Sequence, residues 1–248
     1  MEKRCVVLLM RPTPDYGELS SIGEIVWIPV VRLIPRENCS LKVLEAIKYY
    51  DIVTITSPRT LLILLEDAKK HNIVEKLLRS LRKVKVAAIG PVTAKSLGKY
   101  GIKPTILPPV HDSKHLGIEI ARRASTEKVL IIRSAQATED LNKELSKAGI
   151  SYREIHVYDV KINWDAALKA AKLIMEGRVN YTVITSPSIA KAICNYLRNK
   201  KHKSIFIAIG ETTRRAIKQY CDIDEVLLPT TSTLKGIAKL LSEHCLKR

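Results

Sequence analysis

The amino-acid sequence predicts an α/β protein made of two doubly wound, parallel-sheet domains. Short apolar runs alternate with helical periodicity along the whole chain, which is typical of parallel strands covered by helices on both faces. About ten apolar runs can be counted, too many for one ordinary sheet. The 248 residues suffice for one large or two small domains, and the 46% that are hydrophobic suffice for packed cores.

The individual elements follow from these patterns. Apolar runs bounded by turn residues predict strands at 5–10, 24–30, 51–56, 84–90, 102–108, 128–134, 151–162, 180–186, 204–210 and 223–229. Apolar residues three and four apart predict helices at 15–22, 41–50, 58–70, 91–101, 113–124, 138–149, 164–177, 187–199, 211–221 and 232–245. The basic runs at 79–85 and 197–203 precede strands, and we expect them to form solvated faces.

The same signatures occur twice in the sequence. The paired segments are "ITSP" at 55–58 and 184–187, "IGPVT" at 89–93 and "IGETT" at 209–213, "ILP" at 106–108 and "LLP" at 227–229, and "VLLMRP" at 7–12 and "VLIIRS" at 129–134. Two copies in the same order indicate a duplication rather than a solenoid.

Each repeated signature lies where a predicted strand ends and a helix begins. In open α/β sheets this edge binds ligands, because helix N-termini present unpaired N–H groups and partial positive charge. Ser57 and Ser186 are suited to cap helices that begin with proline, and the glycines allow a ligand to approach the backbone. Any one of these junctions between a strand and the following helix, which we call corners, could be an ordinary helix cap. Matched corners in two copies favour a ligand that carries several anionic groups.

Composition narrows the class of partner. The chain holds 42 Lys and Arg against 25 Asp and Glu, a formal net charge of +17. This charge indicates nucleic acid, an acidic membrane surface or a multiply charged small molecule, or else a basic surface without a specific partner. Aromatic residues make up only 5%, and no nucleic-acid reader motif is present, which argues against nucleic acid.

Several classes of site lack their sequence signature. No phosphate loop, GxGxxG motif or nucleophilic triad is present. The histidines form no metal-binding spacing, and the five cysteines include no CxxC pair, so we expect no metal site and reduced cytosolic thiols rather than disulfides. No apolar run reaches the roughly 18 residues needed to span a bilayer. We therefore expect a cytoplasmic monomer that binds neither nucleic acid nor membranes.

These motifs, taken in order, resemble the uroporphyrinogen-III synthase family. The resemblance rests on "MRP" after the first strand, the two "TSP" segments, "IGPVT", "IGETT" and "VYDV" at 157–160, and it runs from Cys5 to Leu241. It implies two flavodoxin-like domains joined by a two-stranded linker, with the chain crossing out and back. The implied segments are a discontinuous domain at 1–29 and 164–248, a second domain at 38–155, and linker strands at 30–37 and 156–163.

The resemblance also implies an activity. The family cyclises hydroxymethylbilane, a linear tetrapyrrole with eight carboxylates, with loss of water and inversion of ring D. The product is uroporphyrinogen III, on the route to heme, and no cofactor or metal is required. Such a substrate suits corners that present backbone amides and hydroxyls in a basic protein. The alternatives left open are a non-catalytic two-domain protein that binds small anions, and a basic nucleic-acid-binding protein.

The family's functional residues fall on matching positions of this sequence. The family's tyrosine falls on Tyr158, the expected catalytic residue. The expected substrate-binding residues at the corners are Arg11, Thr56, Ser57, Gly90, Thr93, Arg133, Ser134, Thr185, Ser186, Gly210, Thr212 and Thr213. Arg11 and Arg133 could either pair with carboxylates or brace their domains. Glu211 departs from the family's pattern, which often has proline there, and its charge would repel a substrate carboxylate.

Overall fold

The chain forms two compact units. The computed structural model describes residues 5–124 and 126–245. Unit 1 is Met1–Leu33 together with Lys161–Arg248, and unit 2 is Ile34–Val160. The backbone therefore passes from unit 1 to unit 2 after Leu33 and returns after Val160.

The strands and helices alternate as the sequence predicts. The strands are β1 Val6–Leu9, β2 Glu24–Trp27, β3 Val31–Pro35, β4 Ile52–Ile55, β5 Lys85–Ala88, β6 Val129–Ser134, β7 Tyr152–Ile162, β8 Tyr181–Ile184, β9 Ile205–Ala208 and β10 Val226–Leu227. The helices are α1 Cys39–Ala46, α2 Pro58–Lys70, α3 Val74–Lys83, α4 Pro91–Gly98, α5 Ser113–Arg123, α6 Asp140–Lys147, α7 Trp164–Met175, α8 Pro187–Leu197, α9 Glu211–Cys221 and α10 Leu234–Cys245. Short 3₁₀ turns occur at Gly17–Ser21 and Ile47–Tyr49.

Unit 1 contains a five-stranded sheet in the order β10-β9-β8-β1-β2. Its strand pairs are parallel, with Val7 of β1 opposite Tyr181 of β8. β2 lies on one side of β1, and β8, β9 and β10 follow one another on the other side. The direction in which strands are added therefore reverses between β1 and β8. This is the topology of a doubly wound sheet, which confirms the predicted fold class for this unit.

The second sheet has the order β3-β7-β6-β4-β5, in which β4, β5 and β6 lie in unit 2, while β3 and β7 are the strands in which the chain passes between the units. The pairs β4–β5, β4–β6 and β6–β7 are parallel, and the order reverses between β6 and β4. The strand predicted at 102–108 is reduced to one bridge between Ile106 and Ala87. Pro104 and Pro108 account for this correction, because proline cannot donate to a strand ladder.

The two sequence repeats are exchanged between the two units. The Arg-bearing strand of the first repeat, β1, pairs with the TSP-bearing strand of the second, β8. Reciprocally, β6 of the second repeat pairs with β4 of the first. Each sheet is therefore assembled from part of each copy, which is why the repeat boundary in the sequence is not the boundary between the units.

Helix α3 is not among the helices that the sequence predicts, and its second half overlaps the basic run at 79–85 for which we expect a solvated face. The structure shows that this segment is helical and that its basic residues are also exposed to solvent. Leu77, Leu78 and Leu81 are buried on one face, while Arg79 and Arg82 stay exposed on the other. Leucines three and four apart were the signal for this amphipathic helix, and the density of basic residues obscured it.

The expectation of reduced thiols was wrong. Disulfides join Cys5 to Cys245 and Cys194 to Cys221, with Cα atoms 6.1 and 4.5 Å apart, while Cys39 is free and buried. Both bridges lie in unit 1. Sequence spacing gave no sign of them, because the fold brings together the start of β1 and the end of α10, as well as the packed helices α8 and α9.

A buried carboxylate holds the first helix of unit 2. Asp67 in α2 accepts hydrogen bonds from the Ser40 amide at 2.8 Å, the Ser40 hydroxyl at 2.6 Å and the Asn38 amide at 3.2 Å. Burial acts to raise the pKa of Asp67, but these hydrogen bonds outweigh it and hold the pKa below its ordinary value. Burial together with this carboxylate raises the pKa of the Cys39 thiol to about 12.

No described helix combines the length and apolar character that crossing a bilayer would require.

The substitution Asp67→Asn tests this buried cap. Because the amide keeps the shape but loses acceptor capacity, we expect a loss of about 1–3 kcal/mol in the free energy of unfolding at neutral pH. A carboxyl with a lowered folded-state pKa stabilises above its unfolded value near 4 and loses that effect as pH falls. Denaturant titrations should therefore show the deficit shrinking in acid. The exposed Asp224→Asn is the control, and equal stabilities of the two variants would contradict the assignment.

Candidate functional site

Polar signatures lie at the reversal point of each sheet. In unit 1, Arg11 follows β1 and residues 185–187 follow β8, its neighbour. In unit 2, Ser134 ends β6 and residues 56–58 follow β4, again its neighbour. A crevice outside the carboxyl ends of the strands forms at such a reversal, and ligands of open α/β sheets bind there. Each unit thus presents one candidate binding edge.

The two TSP corners share a backbone shape but differ in their hydroxyls. Ser57 caps α2, since its Oγ accepts from the Thr60 amide at 3.1 Å and Pro58 opens the helix. Ser186 occupies the same position before α8, and its side chain makes no capping hydrogen bond. The Ser57 hydroxyl is therefore already bonded to its own helix, whereas the Ser186 hydroxyl is available to a ligand. Thr56 and Thr185 precede these caps and are half-buried.

The two IG corners place threonines in the first turns of α4 and α9. Gly90 and Gly210 are the N-cap residues, in extended backbone. Thr93 and Thr213 follow three residues later, with exposed fractions of only 2% and 4%. The amides of a first helical turn have no partner within the helix. Each IG corner therefore combines unpaired amides with a threonine hydroxyl, which suits a carboxylate.

The corner glycines are explained by neighbouring loops rather than by a ligand. A Cβ added at Gly90 would lie 3.1 Å from His111, and one at Gly210 would lie 2.9 Å from Ser232. Sequence reasoning missed these two residues as corner components. A signal was present, because each lies three positions after the proline of the repeated "ILP" or "LLP" segment.

The acidic residue at the second IG corner is paired. Glu211 lies 2.8 Å from Arg214, three positions later on the exposed side of α9. This ion pair offsets the charge that would repel a substrate carboxylate, and a carboxylate in the first turn also favours the helix dipole. Thr212 lies between them and is half-buried.

The two strand-end arginines are already engaged within their own units. Arg11 donates from Nη1 to the backbone oxygen of Asp15 at 2.9 Å, and its own carbonyl accepts from the Trp27 indole. Arg133 is 2% exposed and donates to Glu154 at 2.8 Å, to the Thr138 carbonyl at 2.7 Å and to Glu139 at 3.3 Å. A guanidinium so buried and bonded favours the bracing role for Arg133 over contact with a ligand.

Glu154 is the centre of the Arg133 network. Its carboxylate accepts hydrogen bonds from the Arg133 guanidinium, from His156 Nε2 at 2.7 Å and from the side-chain Nδ2 of Asn142. Burial acts to raise the pKa of Glu154, but hydrogen bonds from Asn142 and His156 and the nearby guanidinium of Arg133 lower it overall. The carboxylate stays ionised and ties β6, β7 and α6 together.

Tyr158 lies in β7 at an irregular point of the ladder. Its backbone carbonyl accepts from the Ala135 amide at 3.0 Å, and its side chain is 7% exposed. Among residues 5–124 and 126–245, nothing hydrogen-bonds its hydroxyl. A phenol with no partner retains the capacity to donate to a substrate.

The residue after Tyr158 is fixed by a charge pair. Asp159 receives two bonds from the Arg36 guanidinium, at 2.7 and 2.8 Å. This bidentate contact lowers the pKa of Asp159 to about 2. The described residues include no group of three or more His, Cys, Asp or Glu side chains placed to hold a metal ion.

The substitution Glu154→Gln tests the role of Arg133. Removing one partner of a buried ion pair leaves the other charge uncompensated, so we expect a loss of about 3 kcal/mol in the free energy of unfolding. Glu139→Gln is the matched control, since Glu139 is 64% exposed and its loss should cost under about 1 kcal/mol. Chemical denaturation measures both, and equal small effects would reopen a ligand-binding role for Arg133.

Comparison with known proteins agrees with this arrangement. The family model described as "Uroporphyrinogen-III synthase HemD" matches residues 18–239. The "Porphyrin biosynthesis protein HemD" of Ruminiclostridium josui is 26% identical over 223 residues, which are 86% of this chain but 44% of that protein. The chain thus spans less than half the length of this relative. The "Uroporphyrinogen-III synthase" of Chlorobaculum parvum is 26% identical over 247 residues, covering 95% of this chain and 98% of that one.

A solved structure shows the same fold. A mutant uroporphyrinogen III synthase from Thermus thermophilus superposes with a TM-score of 0.69 at 15% identity, covering 98% of this chain and 99% of that chain. At this identity the likeness establishes the two-domain α/β architecture alone. The family model, however, matches from the first 3₁₀ turn into α10. The chain therefore belongs to the uroporphyrinogen-III synthase family.

Proposed function

We propose that this protein cyclises hydroxymethylbilane to uroporphyrinogen III, with loss of water and inversion of ring D. One observation carries the proposal: in a chain of this family, both sheets place the same polar corners at the same edge, the TSP corner beside the reversal of strand order and the IG corner one strand further along. The proposed substrate has eight carboxylates, and the protein offers first-turn amides and hydroxyls at four TSP and IG corners. Each helix terminus contributes about 0.3–1 kcal/mol toward an anion, so several acting together are substantial.

The proposed binding residues lie at the TSP and IG corners and at the strand ends beside them. They are Thr93, Ser134, Thr185, Ser186, Thr212 and Thr213, with the backbone at Thr56, Gly90 and Gly210 and the side chain of Arg11. Ser57 and Arg133 support the corners instead, because their polar groups are bonded within unit 2. The segments 30–37 and 156–163 are proposed as the linkers. Monomeric state and cytoplasmic location stay predictions.

The proposed chemistry needs little from the protein beyond pose and one proton. The C–O bond to the terminal hydroxyl breaks with its electron pair on oxygen, and the adjacent pyrrole nitrogen supplies electrons to the carbon. The departing oxygen must acquire a proton to leave as water. The carbon left behind then bonds to ring D, which inverts through a spiro intermediate before the macrocycle closes, and the proton released on closure balances the one given to the oxygen. Tyr158 is the proposed donor or hydrogen-bonding partner of that oxygen. Binding of both ends of the linear substrate at the corners determines which carbon atom closes the ring.

The decisive experiment is to supply hydroxymethylbilane and identify the isomer formed. The proposal predicts the type III macrocycle at a rate proportional to protein concentration. Heat-inactivated protein and buffer alone are the controls, because unassisted closure gives the type I ring. Chromatography of the oxidised products separates the isomers. Formation of type I alone would overturn the proposed function.

For Tyr158→Phe we expect turnover to fall by roughly tenfold, at or below the low end of the 10²–10⁴-fold usual for positioned acids. The pyrroles themselves assist departure of the leaving group, so little is asked of the phenol. Thermal stability should change little, since the Tyr158 hydroxyl bonds to no described group. Steady-state kinetics and thermal unfolding measure these, and the product should stay type III. Full activity would remove Tyr158 from the mechanism.

The substitution Thr213→Val tests the second IG corner. Valine keeps the buried shape and removes only the hydroxyl, so we expect KM to rise about tenfold through loss of a hydrogen bond to a carboxylate. Thr54→Val is the matched control, because Thr54 is fully buried in β4 with an unbonded hydroxyl. That variant should retain both activity and stability. Unchanged KM for Thr213→Val would make this threonine structural only.

A further inference from the structure

The ladder between β6 and β7 shifts register next to Tyr158. Regular pairing runs from Val129 opposite Tyr152 to Arg133 opposite His156, and then Ser134 pairs with Tyr158. The extra residue is Val157, so β7 carries a bulge immediately before the tyrosine. Val157 and Tyr158 are consequently both buried, which breaks the alternation of a regular strand. A bulge changes where the next side chain is aimed, and bulges are over-represented beside active sites.

Beyond the bulge, β7 loses the support of β6. β6 ends at Ser134, and the Ala135 amide makes the next contact, to the Tyr158 carbonyl. Gln136 then takes over from the strand. Its Oε1 accepts from the Val160 amide at 2.6 Å, and its Nε2 donates to Asp159 Oδ1 at 3.3 Å. One uncharged side chain thus bonds both residues that follow Tyr158.

The opposite edge of β7 is held by β3 and the residue after it. The Arg36 amide donates to the Val157 carbonyl at 2.9 Å, and the Arg36 guanidinium holds Asp159. The backbone on either side of Tyr158 is therefore fixed from both edges of the strand. On the β6 side, however, the side-chain hydrogen bonds that residues 5–124 and 126–245 make to Asp159 and Val160 come from Gln136, which is itself exposed. An exposed glutamine ordered by two bonds has given up rotamer freedom for them.

We propose that Gln136 is a positioning residue that sets the placement of Tyr158 for the cyclisation. The inference rests on the proposed function and adds to it a residue that touches no substrate. Gln136 replaces the missing strand partner, so the bulge stays at Val157 and the phenol keeps one position. A residue that acts only through the phenol cannot cost more when removed than the phenol hydroxyl itself.

The first variant is Gln136→Ala. We expect kcat to fall about fivefold, inside the limit set by Tyr158→Phe and far below the ~100-fold that a full 1 Å misplacement can cost. KM should stay unchanged, because the carboxylate-binding corners are untouched. Gln219→Ala is the control: Gln219 is an exposed glutamine near the end of α9, so that variant should match the wild type.

A double variant separates positioning from general damage. Adding Gln136→Ala to Tyr158→Phe should lower kcat by less than about twofold further, since coupled residues are not additive. Independent effects would instead multiply, giving roughly fiftyfold in total under the same additivity rule. Multiplication of the two effects would overturn the proposal.

A rescue variant covers the case in which Gln136→Ala unfolds. Gln136→Glu keeps the acceptor for the Val160 amide but, when ionised, sets a second carboxylate against Asp159. Protonation of the new carboxyl, whose ordinary pKa is about 4.3, restores a donor. Type III formation relative to wild type should therefore recover as pH falls toward that value. A ratio that is flat with pH would contradict the proposal.

These outcomes distinguish the inference from the function on which it rests. If the wild-type protein forms only the type I ring, the proposed function fails first. If the wild type forms type III and Gln136→Ala retains full kcat, the function stands and the positioning role is wrong. Type III from the wild type, a lowered kcat at constant KM and non-additivity with Tyr158→Phe support the role of Gln136.

Discussion

A buried parallel strand cannot turn directly back beside itself, and the rest of this structure depends on that constraint. Leu8 of β1 and Val183 of β8 have no exposed surface, so their strands offer only backbone bonds to neighbours and apolar side chains to both faces. The chain must return through a helix on a face of the sheet. Within each sheet, the carboxyl ends of parallel strands and the beginnings of the helices that follow them then lie at the same edge. Groups that bind a ligand are placed there, because helices cover the faces of the sheet.

The exchange of repeats between the two sheets also requires contacts between residues that lie far apart in the sequence. The Val6 amide donates to the Asn180 side chain at 2.8 Å across 174 positions, and the Cys5–Cys245 bridge joins residues 240 positions apart. Closing such long loops costs entropy, although the cost grows only slowly with length. A covalent bond between the first strand and the last helix reduces the freedom of the unfolded chain and so offsets part of that cost.

Patterns that are local in sequence could be predicted, and those that depend on distant partners could not. Both ends of α2 were predictable, because Ser57-Pro58 begins a helix and basic residues end it. The role of Arg133 stayed open until Glu154 was seen beside it, since no periodicity pairs residues 21 positions apart. The bulge at Val157 was not predicted, although the apolar residues change phase there, from Ile155 and Val157 to Tyr158, Val160 and Ile162. The corners, the fold class and the family needed only short motifs in order, and these the sequence contains.

The unequal continuity of the two units has a consequence for how the chain is made. Unit 2 is one uninterrupted stretch, complete once the ribosome has passed Val160, so it can fold while the remainder is still being synthesised. β1 has no such opportunity, because its partner β8 begins only at Tyr181. At ordinary elongation rates, the apolar run of β1 waits on the order of ten seconds for that partner. During that interval β1 can pair with β2 alone, so the newborn protein carries an exposed, aggregation-prone strand edge ahead of a finished domain, and a chaperone that shields this segment would find its substrate there.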